Sequence, residues 1–119
     1  MGLNAFVNCY NIEVVDLPSI TNIDNVTFAG LSKLTTVNLP KVTSLMPSTF
    51  GGCESLTTIN LQALTSLESH AFGYCTSLSE ISLPVCSTIG DFAFSGCTAL
   101  YSVSFPAVQT IGESVFAGC

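Results

Sequence analysis

Apolar and polar positions along this chain recur every 22 residues, and phenylalanine marks the period at Phe6, Phe28, Phe50, Phe72, Phe94 and Phe116. Six residues after the phenylalanines lie Ile12, Leu34, Leu56, Leu78 and Leu100. Nine after lie Val15, Val37, Ile59, Ile81 and Val103, and eleven after lie Leu17, Leu39, Leu61, Leu83 and Phe105. The last two columns alternate with polar neighbours, which predicts a short strand with those two side chains inward; the first column enters from the preceding bend. A fixed period of this length is the signature of a solenoid, in which each repeat buries its apolar face only against its neighbours.

Proline follows the predicted strand at Pro18, Pro40, Pro84 and Pro106, with Gln62 the exception. Proline has no N–H for a ladder, so it ends the strand at one level. A second apolar pair comes next: Ile20 and Ile23, Val42 and Leu45, Leu64 and Leu67, Cys86 and Ile89, Val108 and Ile111. This pair predicts a second short extended edge. A polar turn then leads to the small residue before each phenylalanine, namely Ala5, Thr27, Thr49, Ala71, Ala93 and Val115. A tight helical turn of the three-residue kind would place both inward. Gly30, Gly52, Gly96 and Gly118 close that turn, where a left-handed backbone costs least. Tyr74 interrupts the glycine column and predicts a different turn in its repeat. A helical repeat is excluded by chemistry, because the strand window is rich in threonine, valine and isoleucine and proline falls in mid-repeat.

Composition narrows the possibilities. The 119 residues form a single domain, residues 1–119, with no room for a second. Only 8% of residues are charged, against a usual share of about 25%, so serine, threonine and asparagine must cover the surface. Eight acids against Lys33 and Lys41 give a net charge of −6, and no basic stripe is present to displace counterions from phosphates. Nucleic acid is therefore not an expected partner. No apolar run is long enough for a membrane span, and MGLNAFVN lacks the pattern of a secretion signal. The chain begins and stops within repeats, so it reads as a piece of a longer array without polar caps. Open apolar ends of that kind predict further flanking repeats or an end-to-end homo-oligomer. Asn25-Val26-Thr27 matches a glycosylation sequon, a short pattern that arises by chance.

One repeat contains Leu78, Ile81, Leu83, Pro84, Ile89, Gly90, Ala93, Phe94 and Cys97, with Cys86 where valine is expected. These residues, and most of their counterparts along the chain, resemble the BspA-like class of leucine-rich repeats. The resemblance implies a leucine-rich-repeat solenoid of the α/β horseshoe class, mostly β. It implies about five right-handed coils of 22 residues, a parallel sheet on the concave side and short 3-10 helical turns. It further implies cell-surface or secreted proteins of bacteria and some protists that adhere to host matrix proteins or to other cells. The function expected is a non-enzymatic adhesion module binding an extracellular-matrix or cell-surface protein through the concave sheet. A structural spacer within a longer surface protein is the alternative.

Five of the six cysteines, Cys9, Cys53, Cys75, Cys97 and Cys119, share one column three residues after the phenylalanine. Parallel side chains about 4.8 Å apart suit a ladder of small buried thiols better than disulfides. A line of thiols also fails to converge on a zinc ion. A triad would need a histidine beside a nucleophile and an orienting acid; Glu68 is near His70, the single histidine, in sequence, but His70 lies on a variable outer column and reads as a surface side chain. No phosphate loop, dinucleotide fingerprint or other cofactor motif occurs, and no enzyme is expected.

The columns flanking the inward strand residues would point out of the concave sheet. They read Glu13, Val14, Asp16; Thr35, Thr36, Asn38; Thr57, Thr58, Asn60; Ser79, Glu80, Ser82; and Tyr101, Ser102, Ser104. The candidate ligand-binding residues are Thr35, Thr36, Asn38, Thr57, Thr58, Asn60, Ser79, Glu80, Ser82 and Tyr101, with Tyr101 as the one large amphipathic anchor. The competing reading is a row of solvated strand residues with good β-propensity. A remoter alternative is an ice-binding array built on Thr21, Thr43, Thr65 and Ser87 and on the adjacent Ser44, Ser66, Thr88 and Thr110, ranks that Gln109 and Asn22 interrupt.

Overall fold

The computed structural model describes residues 5–23 and 28–119. The Asn25–Thr27 sequon, together with Val26 and Thr27 as members of their columns, lies outside the described residues.

Nine short strands occur among the described residues: β1 (Val14–Asp16), β2 (Thr36–Asn38), β3 (Ser44–Leu45), β4 (Thr58–Asn60), β5 (Ser66–Leu67), β6 (Glu80–Ser82), β7 (Thr88–Ile89), β8 (Ser102–Ser104) and β9 (Thr110–Ile111). All pairings are parallel, and each strand meets its counterpart one period away: Val15 faces Val37, Val37 faces Ile59, and Leu67 faces Ile89. The three-residue strands thus lie on one side of the coil, and the two-residue strands, the expected second extended edge, on another. β3, β5, β7 and β9 form one continuous sheet. The longer strands do not form the single sheet expected. They divide into β1-β2-β4 and β6-β8.

The core is the set of inward columns. Leu34, Leu56 and Leu78, Leu39, Leu61 and Leu83, and Leu45 and Leu67 are all buried. At the centre, Phe28, Phe50, Phe72 and Phe94 form a near-parallel stack with ring centroids 5.2, 5.3 and 5.5 Å apart. Those distances follow the strand spacing of about 4.8 Å, so one translation sets both the backbone ladder and the ring stack.

The cysteine column has a specific role in this packing. Cys53, Cys75, Cys97 and Cys119 each donate their S–H to the carbonyl oxygen of a phenylalanine in the preceding coil, Phe28, Phe50, Phe72 and Phe94, at 3.1–3.2 Å. Each of those carbonyls already accepts the backbone N–H three residues on, such as Cys53 N–H on Phe50 O, so the thiol is a second, weak donor that occupies the remaining lone pair from a small, otherwise apolar side chain. All six cysteines are free. Burial pushes the Cys53 and Cys97 thiols up to about 12 and raises those of Cys75 and Cys86 as well. These groups stay neutral at physiological pH, which removes the thiolate needed for nucleophilic attack or metal binding.

The segment around each phenylalanine is a string of hydrogen-bonded turns, and no helix occurs among the described residues. The bond Cys53 N–H to Phe50 O is of the i to i+3 kind. The carbonyls of the residues just before the phenylalanines are turned away, however: Thr49, Ala71, Ala93 and Val115 accept from the N–H of Phe28, Phe50, Phe72 and Phe94 in the coil before. Inter-coil bonding competes with helix bonding there and wins.

Tyr74 does not alter the turn of its repeat. Its φ is 60°, beside 72–75° for the four glycines of the column, and its N–H donates to Ser95 O just as Gly52 N–H donates to Gly73 O. The register with neighbouring coils outweighs the steric penalty of a left-handed tyrosine, about 1–2 kcal/mol. A second left-handed column escaped the sequence reading altogether. Ser48, His70, Phe92 and Ser114 have φ of 51–58°, none of them glycine.

Candidate functional site

The candidate site is the outward face of the three-residue strands. Val37 and Ile81 of β2 and β6 are buried and Ile59 of β4 is half-buried. Strand alternation therefore turns the flanking Thr36, Asn38, Thr58, Asn60, Glu80 and Ser82 outward. The residue just before each strand is differently placed. Thr35 Oγ1 donates to Glu13 O at 3.0 Å and Thr57 Oγ1 to Thr35 O at 3.3 Å, so these two hydroxyls bond back to the coil before. Ser79 is half-buried, and Tyr101 is 78% exposed.

Along this face runs a ladder of side-chain amides. Asn38 Nδ2 donates to Asp16 Oδ1, and Asn60 Nδ2 donates to Asn38 Oδ1, both at 2.7 Å. The ladder ends at Asn60, whose Oδ1 is buried and has no hydrogen-bond partner. The next member of its column, Ser82, stands across the gap between β4 and β6. Glu13, Asp16 and Glu80 supply all the charge in these columns.

Thr57, Thr58, Glu80 and Ser82 come together around a cleft of about 340 Å³ at that gap. Thr35, Thr36 and Asn38 belong instead to the unbroken β1-β2-β4 sheet. Tyr101 lines a separate cavity of about 190 Å³ beside Val103, Phe116 and Cys119. Gln62 also lines the larger cleft, and the sequence reading did not count it as a site residue. Its signal was present, since Gln62 is the one non-proline of the proline column.

Outside this face the chemistry is plain. His70 stacks on Phe92 with ring centroids 5.1 Å apart. Thr65 Oγ1 and Ser87 Oγ, in the columns considered for ice binding, donate to the carbonyls of Thr43 and Thr65 at 2.9 and 3.2 Å. Among the described residues no cluster of three or more histidine, cysteine or carboxylate side chains could hold a metal ion. Nor is any helix there long and apolar enough to cross a membrane.

Across residues 1–119 the chain matches the BspA type leucine rich repeat region in six copies. It belongs to that family. Three solved leucine-rich-repeat structures are similar to it. A leucine rich repeat protein of T. pallidum is 30% identical with a TM-score of 0.81, over 90% of this chain and 55% of that one. A leucine rich cell surface protein of Faecalibacterium prausnitzii is 30% identical with a TM-score of 0.83, over 90% of this chain and 31% of that one. A leucine-rich repeat protein of Bacteroides ovatus is 28% identical with a TM-score of 0.70, over 92% of this chain and 35% of that one. The chain therefore spans between about a third and just over half of these solved relatives. No curated protein matches it. Family and fold together are those of a protein-interaction or structural surface repeat module, a scaffold type that is typically non-enzymatic.

Proposed function

We propose that this BspA-type unit is an adhesion module that binds an extracellular-matrix or cell-surface protein through the outward face of its three-residue strands. The observation that carries the reading is that face itself. Its columns hold threonine, serine and asparagine on a backbone fixed by a buried phenylalanine stack, with no basic residue and with Tyr101 standing free at one end. A rigid, hydroxyl-rich surface loses little entropy on binding, and an exposed tyrosine supplies the amphipathic anchor that interfaces favour. Placement at the cell surface is part of the proposal, supported by the naming of the Faecalibacterium relative as a cell surface protein.

The test is binding of the chain to a panel of immobilised matrix glycoproteins, beside the double variant Thr36→Arg, Thr58→Arg. Saturable binding that the variant loses supports the adhesion module. Equal binding by the variant would move the interface elsewhere, and no binding at all would favour the structural spacer.

A second reading concerns self-association. Val103, Val108, Ile111 and Phe116 of the last coil are 44, 38, 54 and 36% exposed, although their counterparts Ile81, Cys86, Ile89 and Phe94 are buried. An apolar face of this kind, matched to the period of the chain, fits either a further repeat of a longer array or a second copy stacked end to end. Sedimentation should then show dimers that Ile111→Lys disperses, and a monomer at every concentration would end this reading.

A further inference from the structure

Two neighbouring coils part between β4 and β6, beyond the Ser77 N–H bond to Glu54 O that still joins them just before β6. On the opposite ladder the same two coils are joined, Ser66 facing Thr88 and Leu67 facing Ile89. The rings of Phe50, Phe72 and Phe94 also stay in contact. On the long-strand side no pairing joins β4 to β6. At the other junctions Leu39 N–H donates to Asn60 O, Leu83 N–H to Ser104 O, Thr57 N–H to Thr35 O, and Tyr101 N–H to Ser79 O. Neither Leu61 nor Ser79 makes the corresponding bond. The gap is thus a wedge with a strand edge on each wall, and such edges are templates for another chain.

The walls state what would fit. The cleft of about 340 Å³ lies at the small end of the roughly 300–1,000 Å³ range of ligand pockets, which suits a few residues and not a long strand. Glu80 is the single ionised group lining it, among the side chains of Thr57, Thr58, Gln62, Ser82 and Ser104. No aromatic ring lines it, so a sugar would find no stacking platform. Main-chain donors and acceptors alternate along a strand edge at a rise of about 3.3 Å per residue, a spacing that another peptide backbone reproduces.

We propose that this wedge captures a short extended peptide segment bearing a basic side chain. The segment's main chain pairs with the open edge of β4, and its cation meets the Glu80 carboxylate. This rests on the reading of the outward face as an interaction surface and places a specific subsite within it.

The first test is amide hydrogen exchange on the free chain. Leu61 and Ser79 should exchange at least about tenfold faster than Leu39 and Leu83, because their N–H groups lack the inter-coil bond. Equal protection would mean that the ladder is closed in solution and would overturn the proposal. The second test is an NMR titration with acetyl-Thr-Lys-Val-amide, its glutamate counterpart, its backbone N-methylated counterpart and chitotriose. The lysine peptide should give saturable shifts confined to residues 57–62 and 79–82 and to Ser102 and Ser104, which line the cleft. Its affinity should fall about three- to fivefold in Glu80→Gln, as for a partly exposed ion pair, and N-methylation should abolish binding. Equal binding of the glutamate or N-methylated peptide, binding of the sugar instead, or no localised shift with the lysine peptide would each overturn it. Glycoprotein binding without peptide binding would remove the wedge site and leave the adhesion reading standing; peptide binding without glycoprotein binding would do the reverse.

Discussion

The two ladders of this solenoid are built from the same coils, yet the shorter strands run unbroken through four of them while the longer strands divide after three. Ladder length therefore does not decide continuity. What differs is the contact beneath and beside the strands. Leu45, Leu67 and Ile89 under the continuous sheet are all buried, whereas Ile59 at the edge of the divided one is only half-buried. Close backbone approach also favours the short ladder: a Cβ on Gly90 would stand 2.7 Å from the Glu68 carbonyl carbon. In a repeat array the core sets the translation, and the half-burial of Ile59 accompanies the open ladder edge beside it.

The largest test of that conclusion is removal of a ring from the stack. Phe72→Ala should cost about 3–5 kcal/mol in a urea titration. A loss below about 1 kcal/mol would mean that the rings follow the backbone and do not set its spacing. The next sharpens the contrast between ladders directly: Leu67→Ala should cost about 3 kcal/mol and Ile59→Ala about half as much. Equal losses would show that the divided sheet packs as firmly as the continuous one.

The thiol column gives a test with a sign that can be worked out. Burial holds the Cys53 and Cys97 thiols near 12, above their ordinary 9.0. The folded state thus keeps protons that the unfolded state releases. The contribution is complete below about pH 9 and is lost as pH rises through 12, so the urea midpoint should fall over that window. Cys53→Ala, Cys97→Ala should flatten the decline; an unchanged slope would assign it to other groups. In native buffer a thiol reagent should label Cys9 and Cys119 quickly, and Cys53, Cys75, Cys86 and Cys97 only after denaturant is added. The smallest expected effect is at the left-handed column. Ser48→Gly, at φ 58°, should raise stability by under about 1 kcal/mol, since relief of the left-handed strain is partly offset by glycine's greater unfolded-state entropy.

Most of the fold was legible because the period is spelled in bulky side chains. The columns of Phe72, Ile81, Leu83 and Ile89 specify where each strand lies and which face is inward, and a translation of 22 residues does the rest. The segment expected as a helical turn is a string of three-residue turns without a helix, for a reason that composition does not encode: the carbonyls of Thr49 and Ala71 could serve their own turn or the neighbouring coil. Tyr74 misled because a missing glycine looks like a missing left-handed residue, although inter-coil bonds hold it in that conformation. The outward residues Thr36, Asn38, Thr58 and Glu80 could be placed from alternation alone. The wedge between β4 and β6 could not, because it depends on a backbone separation that no side-chain pattern spells; only Gln62, out of place among prolines, hinted at it.

Every strand pairing described above joins residues separated by the same number of positions, whichever residue is chosen as the start. An in-frame deletion of one full period could therefore begin at any point on the coil and still bring equivalent neighbours together, with Phe50 then resting on Phe94 as it now rests on Phe72. The seam would be invisible to the core. Genes encoding such chains can shorten or lengthen by unequal exchange without passing through an unfoldable intermediate, so the reach of the protein is open to change independently of its fold.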